Sequence, residues 1–172
     1  MGIVIGLTFS AIFLYYQKNY CLNSANAIFS PQSKIQILNL IRQAKNEIDL
    51  EMYILTDKDV LNELVNAAQR GVKIRIILEY RVEIKDLLKI ARYLDRENIQ
   101  LRWSQDKYKL THSKMMIIDK KKVLIGSINF SKSALENNRE VGIIVEGEIV
   151  KEYLNEFEKD WQNSVPYMKE LS

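Results

Sequence analysis

Alternating and helical spacings of apolar side chains divide most of the chain into short elements. Apolar residues at every second position of Ile48–Leu55 predict a strand, and the β-branched run of Val72–Leu78 predicts another. Apolar residues that recur every three or four positions predict helices between and around the strands. The helices are expected over 31–46, from a capping box at 56–59 to Gly71, over 86–97 and over 149–161, and further strands over 99–103, 114–119, 122–125 and 141–146.

The order of these elements predicts the fold class. Strands alternate with helices in the first half, and a run of strands follows, which is typical of an α/β fold with a mixed β-sheet flanked by helices on both faces. Ser30-Pro31 is expected to begin the first helix, as a capping hydroxyl followed by proline. The chain has 172 residues, about the length of one domain, so we predict one folded domain over 30–172.

The N-terminal segment differs from the rest of the chain. Residues 1–16 contain no charged side chain, and as a helix they would cover about 24 Å, somewhat less than the ~30 Å hydrocarbon core of a bilayer. We predict that residues 1–17 are an apolar helix that acts as a membrane anchor or signal segment, with a buried core helix as the alternative. Residues 18–29 are predicted to be a linker. The protein would then be anchored at a membrane, on a side that the sequence does not identify, or exported.

Composition excludes several classes of protein and site. A hydrophobic content of 47% with 27% charged residues excludes wholesale disorder and a polytopic membrane protein. One cysteine excludes an internal disulfide framework and any multi-cysteine metal site. The net charge of +3 is too small to identify a nucleic-acid binder by itself. The single histidine is therefore the main candidate for acid–base or nucleophilic chemistry.

That histidine lies in the pattern His112-x-Lys114-x4-Asp119, on a predicted strand. Because alternate side chains of a strand share a face, His112 and Lys114 are expected to project together. Gly126-Ser127-x-Asn129-Phe130 follows, and then Glu140.

These residue types suit a phosphodiester. An imidazole can attack phosphorus, an ammonium group neutralises the non-bridging oxygens, and the Ser127 hydroxyl and Asn129 amide can donate further hydrogen bonds. A carboxylate such as Glu140 could hold the imidazole in one tautomer. The alternatives are that Ser127 and Asn129 cap a turn and that Glu140 is a surface carboxylate.

The combined motif resembles the phospholipase D superfamily. It is most similar to the small single-motif members, the bacterial Nuc-type endonucleases and the Zucchini or mitochondrial phospholipase D type. The resemblance extends over about residues 30–161, and includes the strand that ends in Tyr53 and the turn at Arg70-Gly71-Val72.

The resemblance implies a two-step hydrolysis that needs no metal or other cofactor, through a covalent phosphohistidine at His112. Because the mechanism uses two histidines and each chain has one, it implies a homodimer with a shared site. Asp119 and Gly126 would be structural. The catalytic residues would be His112, Lys114, Asn129 and Glu140, and Lys114, Ser127 and Asn129 would bind the phosphate.

Charge near the motif bears on the substrate. Residues 105–122 carry six lysines against two aspartates, which would attract nucleic acid or an anionic bilayer. We expect the lysines at 120–122 to flank the site, with a solvated turn as the alternative. Trp103, Tyr80 and Tyr108 could stack on bases, lie at a lipid interface or belong to the core. We predict that the substrate is single-stranded DNA or RNA. The alternative is a phospholipid (phosphatidylcholine or cardiolipin) that is cleaved to phosphatidic acid. A third possibility is a catalytically silent scaffold.

Overall fold

The computed structural model describes residues 22–82 and 87–168, which contain one eight-stranded sheet. Its strands are arranged in the order β1-β7-β6-β5-β2-β3-β4-β8. The strands are β1 (Leu22–Phe29), β2 (Glu47–Met52), β3 (Lys73–Leu78), β4 (Ile99–Trp103), β5 (Lys114–Ile118), β6 (Lys122–Gly126), β7 (Val141–Gly147) and β8 (Val165–Pro166), and the helices are α1 (Ser33–Gln43), α2 (Lys58–Gln69), α3 (Leu87–Leu94) and α4 (Val150–Asn163), with a π-helical turn at Ser133–Asn137.

The sheet is mixed, as predicted. Strands β2, β3 and β4 are parallel to one another, and the remaining strand pairs are antiparallel. This arrangement follows from the connections, because helical crossovers join parallel strands and short turns join the antiparallel strands β5 and β6.

Two apolar layers hold helices against the two faces of the sheet. One layer packs α1, α2 and α3 against side chains such as Leu50, Ile76 and Met116. The other packs α4, through Phe157, against Ile117 and its neighbours. Since adjacent residues of β5 point into different layers, Met116 and Ile117 are both fully buried. The prediction of helices on both faces is confirmed.

Several sequence predictions need correction. Residues 22–29 are not a linker but strand β1, which pairs with β7. Ser30 does not cap the first helix: α1 begins at Ser33, and Ser30 is buried with hydrogen bonds to the segment before β7. Asp57, rather than Thr56, caps α2 by accepting hydrogen bonds from the backbone of Asp59 and Val60. The predicted segment at 1–17 and the predicted helix start at 86 lie outside the described residues.

Candidate active site

One edge of the sheet gathers the polar residues of the motif. The carboxyl end of β2 meets the amino end of β5 there, with Met52 paired to Lys114. The carboxyl end of β6 meets β7 nearby, with Gly126 paired to Gly142. Residues that immediately precede β5 and β7, or follow β6, are therefore brought to this edge, which we call the site edge.

His112 and Lys114 share a contact with Tyr53 at the site edge. The rings of His112 and Tyr53 meet edge to face, with their centroids 4.3 Å apart. The Lys114 ammonium lies 4.8 Å from the centre of the same tyrosine ring and donates to the backbone oxygen of His112 at 2.5 Å. The Tyr53 N–H in turn donates to the Ser113 oxygen at 2.9 Å. Tyr53 therefore orients both motif side chains, a role that the strand pattern did not reveal.

The local environment lowers the pKa of both motif bases. Partial desolvation of the exposed His112 ring lowers its pKa, and the positive charge of Lys114 lowers it further. Burial also lowers the pKa of Lys114, while the Glu140 carboxylate acts in the opposite direction. A lowered pKa favours the neutral His112 ring, which is the form that can act as a nucleophile.

Ser127 and Glu140 form a second pair at the site edge. The Ser127 hydroxyl donates to a Glu140 carboxylate oxygen at 2.5 Å, and the Asn138 amide donates to the other oxygen at 3.2 Å. The Ser30 hydroxyl fixes the backbone of this segment, because it accepts from the Glu140 N–H at 2.8 Å and donates to the Asn138 oxygen at 2.6 Å. Glu140 is thus bonded to Ser127 and Asn138 rather than to the His112 ring.

Asn129 is positioned by its neighbour Phe130, which is fully buried. The Phe130 N–H donates to the Ile54 oxygen at 3.0 Å, and the Phe130 oxygen accepts from Thr56 and Asp57. These bonds fix Asn129 beside the segment that follows β2. Its Oδ1 atom is buried and has no hydrogen-bond partner among the described residues.

The two residues expected to be structural have different surroundings. A Cβ atom at Gly126 would lie 2.3 Å from the Val141 oxygen, so only glycine fits between β6 and β7 there. Asp119 lies beyond β5, at the edge of the sheet opposite to the site, which we call the far edge. Its carboxylate accepts backbone N–H groups of Lys45, Asn46 and Glu47 at 2.7–3.3 Å.

The lysines around the motif lie in two groups, one at each end of β5. Lys107 and Lys109 are exposed in the segment that leads to His112. Lys120, Lys121 and Lys122 follow β5 at the far edge, so the prediction that they flank the site is wrong. The five residues of β5 separate the two groups by roughly 15 Å, at about 3.4 Å per residue. Lys120 pairs with Glu47 and Lys122 with Glu146.

The described residues contain neither a cluster of metal-ligand side chains nor a membrane-spanning helix. Within residues 22–82 and 87–168, no three His, Cys, Asp or Glu side chains are grouped as they would be around a metal ion. No helix of these ranges has both the length and the apolar character needed to cross a bilayer.

A cavity of about 530 Å³, lined in part by Lys45, Asp119 and Lys121, lies at the far edge and not beside His112.

The sequence matches a known family model over residues 37–161, described as the PLD-like domain of cardiolipin synthase. This match covers more than half of the chain and all the motif residues. The chain belongs to the PLD-like family. The predicted family is therefore confirmed.

Curated relatives of this PLD-like chain include proteins that are named as lipid-cleaving enzymes. It is 37% identical over 129 residues to a phospholipase D of Rickettsia conorii, covering 74% of this chain and 61% of the relative. It is 30% identical over 138 residues to the mitochondrial cardiolipin hydrolase of Mus musculus, covering 80% of this chain and 62% of the relative. The chain thus spans about three fifths of the length of these relatives.

Solved structures give a closer match in length. Nuc of Salmonella typhimurium, a phospholipase D family member, superposes with a TM-score of 0.79 at 26% identity. The match covers 85% of this chain and 99% of the Nuc chain. NucT of Helicobacter pylori superposes with a TM-score of 0.77 at 25% identity. The match covers 84% of this chain and 99% of the NucT chain. The PLD-like domain is therefore about as long as these two complete structures.

Proposed function

We propose that this PLD-like chain is a phosphodiester hydrolase with His112 as its nucleophile. The observation that carries the proposal is the placement of the exposed His112 imidazole and the Lys114 ammonium on one tyrosine ring. The lowered His112 pKa supports attack by the free ring, and the names of its relatives supply the reaction class.

In the first step, a lone pair of the His112 imidazole attacks phosphorus and forms an N–P bond. The P–O bond to the leaving group breaks, and the leaving oxygen takes a proton from a second imidazolium. In the second step, that second imidazole removes a proton from water. The water oxygen attacks phosphorus, and the N–P bond breaks to release a phosphomonoester and free His112.

The second imidazole requires a second chain, because this sequence contains one histidine. We therefore propose a homodimer in which the two site edges face each other and each supplies one His112. In that arrangement one ring starts neutral and the other starts protonated. Two interacting rings titrate as a pair, which suits two opposite roles for the same residue.

The other motif residues would stabilise charge that develops on phosphorus. Lys114 carries the positive charge closest to His112 and would bind the non-bridging oxygens. Asn129 would donate hydrogen bonds through its Nδ2 amide group, and Ser127 would donate one once its hydroxyl proton turns from Glu140 to the phosphate. Before the substrate binds, Glu140 would hold the Ser127 hydroxyl in place by accepting its hydrogen bond.

We propose single-stranded nucleic acid as the preferred substrate. The support is the pair of exposed lysines, Lys107 and Lys109, in the segment before His112, because a polyanion contacts several cations at once. A phospholipid is the second candidate, and the relatives named phospholipase D and cardiolipin hydrolase favour it, together with the apolar sequence at 1–16. Under either candidate, the N-terminal segment would anchor the protein at a membrane or direct its export.

The proposal is tested by assaying the full-length chain in EDTA on bis(p-nitrophenyl) phosphate, a single-stranded oligonucleotide and cardiolipin vesicles. We expect hydrolysis of the small ester without metal and faster cleavage of the oligonucleotide than of the lipid. Mixed and refolded with an equal amount of the His112→Ala variant, the wild-type chains should lose about half of their activity. A fully active monomer, or activity restored only by added metal, would contradict the proposal.

A further inference from the structure

The segment 104–111 leads directly into His112 and presents unusual exposed chemistry. Its residues 106–110 are all exposed, and they include Tyr108 and two lysines. Tyr80, at the carboxyl end of β3, is exposed beside this segment and donates a hydrogen bond to Asp106. Tyr80 and Tyr108 are 41% and 42% exposed, whereas Trp103 packs edge to face on Tyr167. The two tyrosines are therefore the aromatic side chains available to a ligand here.

An ion pair between the buried Glu79 and the half-buried Arg81 links these two tyrosines. Glu79 is completely buried, and its carboxylate accepts two hydrogen bonds from the Arg81 guanidinium at 2.7 and 2.8 Å. Arg81 also donates to the backbone carbonyl oxygen of Tyr108 at 2.7 Å, and its guanidinium lies 5.1 Å from the centre of the Tyr80 ring. One arginine thus links both aromatic residues to a single buried carboxylate.

The Glu79 carboxylate also fixes the segment 104–111 relative to the motif. Glu79 accepts from the Thr111 N–H at 2.7 Å and from the Ser104 hydroxyl at 3.0 Å, so both ends of the segment are tied to it. Burial opposes ionisation of Glu79, but the hydrogen bonds from Arg81, Thr111 and Ser104 outweigh it and lower its pKa to about 2. Because a buried charge is costly unless it is fully bonded, breaking the bonds from Thr111 and Ser104 would be unfavourable, and both ends of the segment stay attached to Glu79.

We propose that Tyr80 and Tyr108 form a stacking surface for the bases of a single-stranded nucleic acid next to the catalytic His112. This inference rests on the proposed function and adds that bases, and not phosphates alone, are bound. Exposed aromatic rings beside cations are typical of surfaces that bind single strands, since each ring stacks on a base while lysines contact the backbone.

The surroundings of the tyrosines favour nucleic acid over lipid. Lys107 lies over the Tyr108 ring, 5.2 Å from its centre, and Asp106 is bonded to Tyr80, so both rings are set among charges rather than in an apolar patch. Tyr108 is four residues from His112, within about 14 Å even for an extended chain. That span corresponds to roughly four stacked nucleotides at about 3.4 Å each.

The test measures binding in the His112→Ala background, where no cleavage occurs. Full-length protein in nonionic detergent is titrated with a 12-nucleotide oligothymidylate and with an abasic strand of the same length and charge. We expect the oligothymidylate to bind at least tenfold more tightly. Tyr108→Ala should reduce that preference about tenfold, and Tyr108→Phe should retain it because the ring is preserved. Tyr93→Ala, on α3, is the matched control and should leave it unchanged.

Equal affinity for the two strands would overturn the inference, and so would a Tyr108→Ala variant that weakens both strands equally. Tyr108-dependent binding to cardiolipin vesicles without binding to either strand would also overturn it in favour of a lipid surface. Failure of the proposed function is recognised separately, because it appears as a wild-type chain that does not hydrolyse the small phosphodiester.

Discussion

The two ends of strand β5 carry the two halves of one sequence motif, yet their surroundings are opposite. At the site edge, the His112 ring is exposed and is left accessible to a ligand. At the far edge, Asp119 accepts hydrogen bonds from three consecutive backbone N–H groups, and Lys120 is paired with Glu47.

The difference separates reactive groups from structural ones. Polar groups whose capacity is used within the fold stabilise it, whereas groups left accessible can bind or attack a ligand. The five-residue strand β5 therefore separates the motif into two parts. His112 and Lys114 belong to the candidate site, and Asp119 stabilises the fold at the other end of the strand.

The largest expected effect is at the site edge. His112→Ala should reduce hydrolysis of a small phosphodiester by at least about 1,000-fold, because no other histidine can form the N–P bond. Its melting temperature should change little, since the ring is exposed. Steady-state rates and thermal melts check this, with Lys120→Gln at the far edge as the active control. More than a tenth of wild-type activity in His112→Ala would remove the distinction between the two edges.

Asp119→Asn should have the opposite profile. The asparagine amide places its own donors against the N–H groups of residues 45–47, so we expect a loss of about 1–3 kcal/mol in the free energy of unfolding. Activity per folded chain should remain within a few-fold of wild type. Urea denaturation combined with kinetics measures both quantities. An Asp119→Asn variant of normal stability but without activity would make Asp119 a catalytic residue.

The two edges should also differ in their response to pH. Burial raises the pKa of Glu51, a β2 residue near the site edge, to about 7, helped by the charge of nearby Asp160. The folded state then binds more protons than the unfolded state above pH 4.5, so stability should fall as the pH rises from about 5 to 8. Glu51→Gln should remove this loss and be more stable than wild type at pH 8, by on the order of 2 kcal/mol.

Asp119 provides the contrast for that measurement. Its pKa is lowered, because hydrogen bonds from Glu47, Asn46 and Lys45 outweigh its burial. Its contribution to stability is complete above its ordinary pKa of 3.8 and is lost only as the pH falls below that value. The stability difference between Asp119→Asn and wild type should thus be constant from about pH 5 to 8. A Glu51→Gln difference that is equally constant would show that Glu51 does not titrate in this range.

The smallest expected effect concerns the two groups of lysines. Changing Lys107 and Lys109 to glutamine should reduce the salt dependence of binding to a single strand by about 1.4 in log–log slope, or about 0.7 for each phosphate that is no longer neutralised. The matched change of Lys120 and Lys121 should leave the slope unaltered. Anisotropy titrations between about 50 and 300 mM salt make the comparison. Equal effects of the two double variants would mean that the strand reaches both edges.

The sequence predicts the central strands well because their burial leaves a clear pattern. The predicted bounds of β4 are the observed ones, and those of β5 and β6 agree with the structure to within one residue at each end. Strand β1 was missed because most of its side chains are exposed, so LNSANAIF shows no regular alternation.

The candidate site shows the same limit. Residue types and spacing identify His112 and Lys114. The predicted strand over 114–119 already places His112 before it and the lysines at 120–122 after it, so the sequence contains the signal that separates these lysines from the site. The contacts of Tyr53 with His112 and of Ser30 with Glu140 join residues 59 and 110 positions apart, so they emerge only from the folded chain.

The central claim is that His112 carries the covalent intermediate, and a rapid-quench experiment tests it most directly. Full-length protein is mixed with excess p-nitrophenyl ethyl phosphate in EDTA, quenched in alkali within the first turnover, digested and analysed by mass spectrometry. We predict an ethyl-phosphoryl adduct on His112, at about one adduct for every two chains, that forms as fast as nitrophenol is released. First-turnover release of nitrophenol with no adduct on His112, or with an adduct on another residue, would contradict the account.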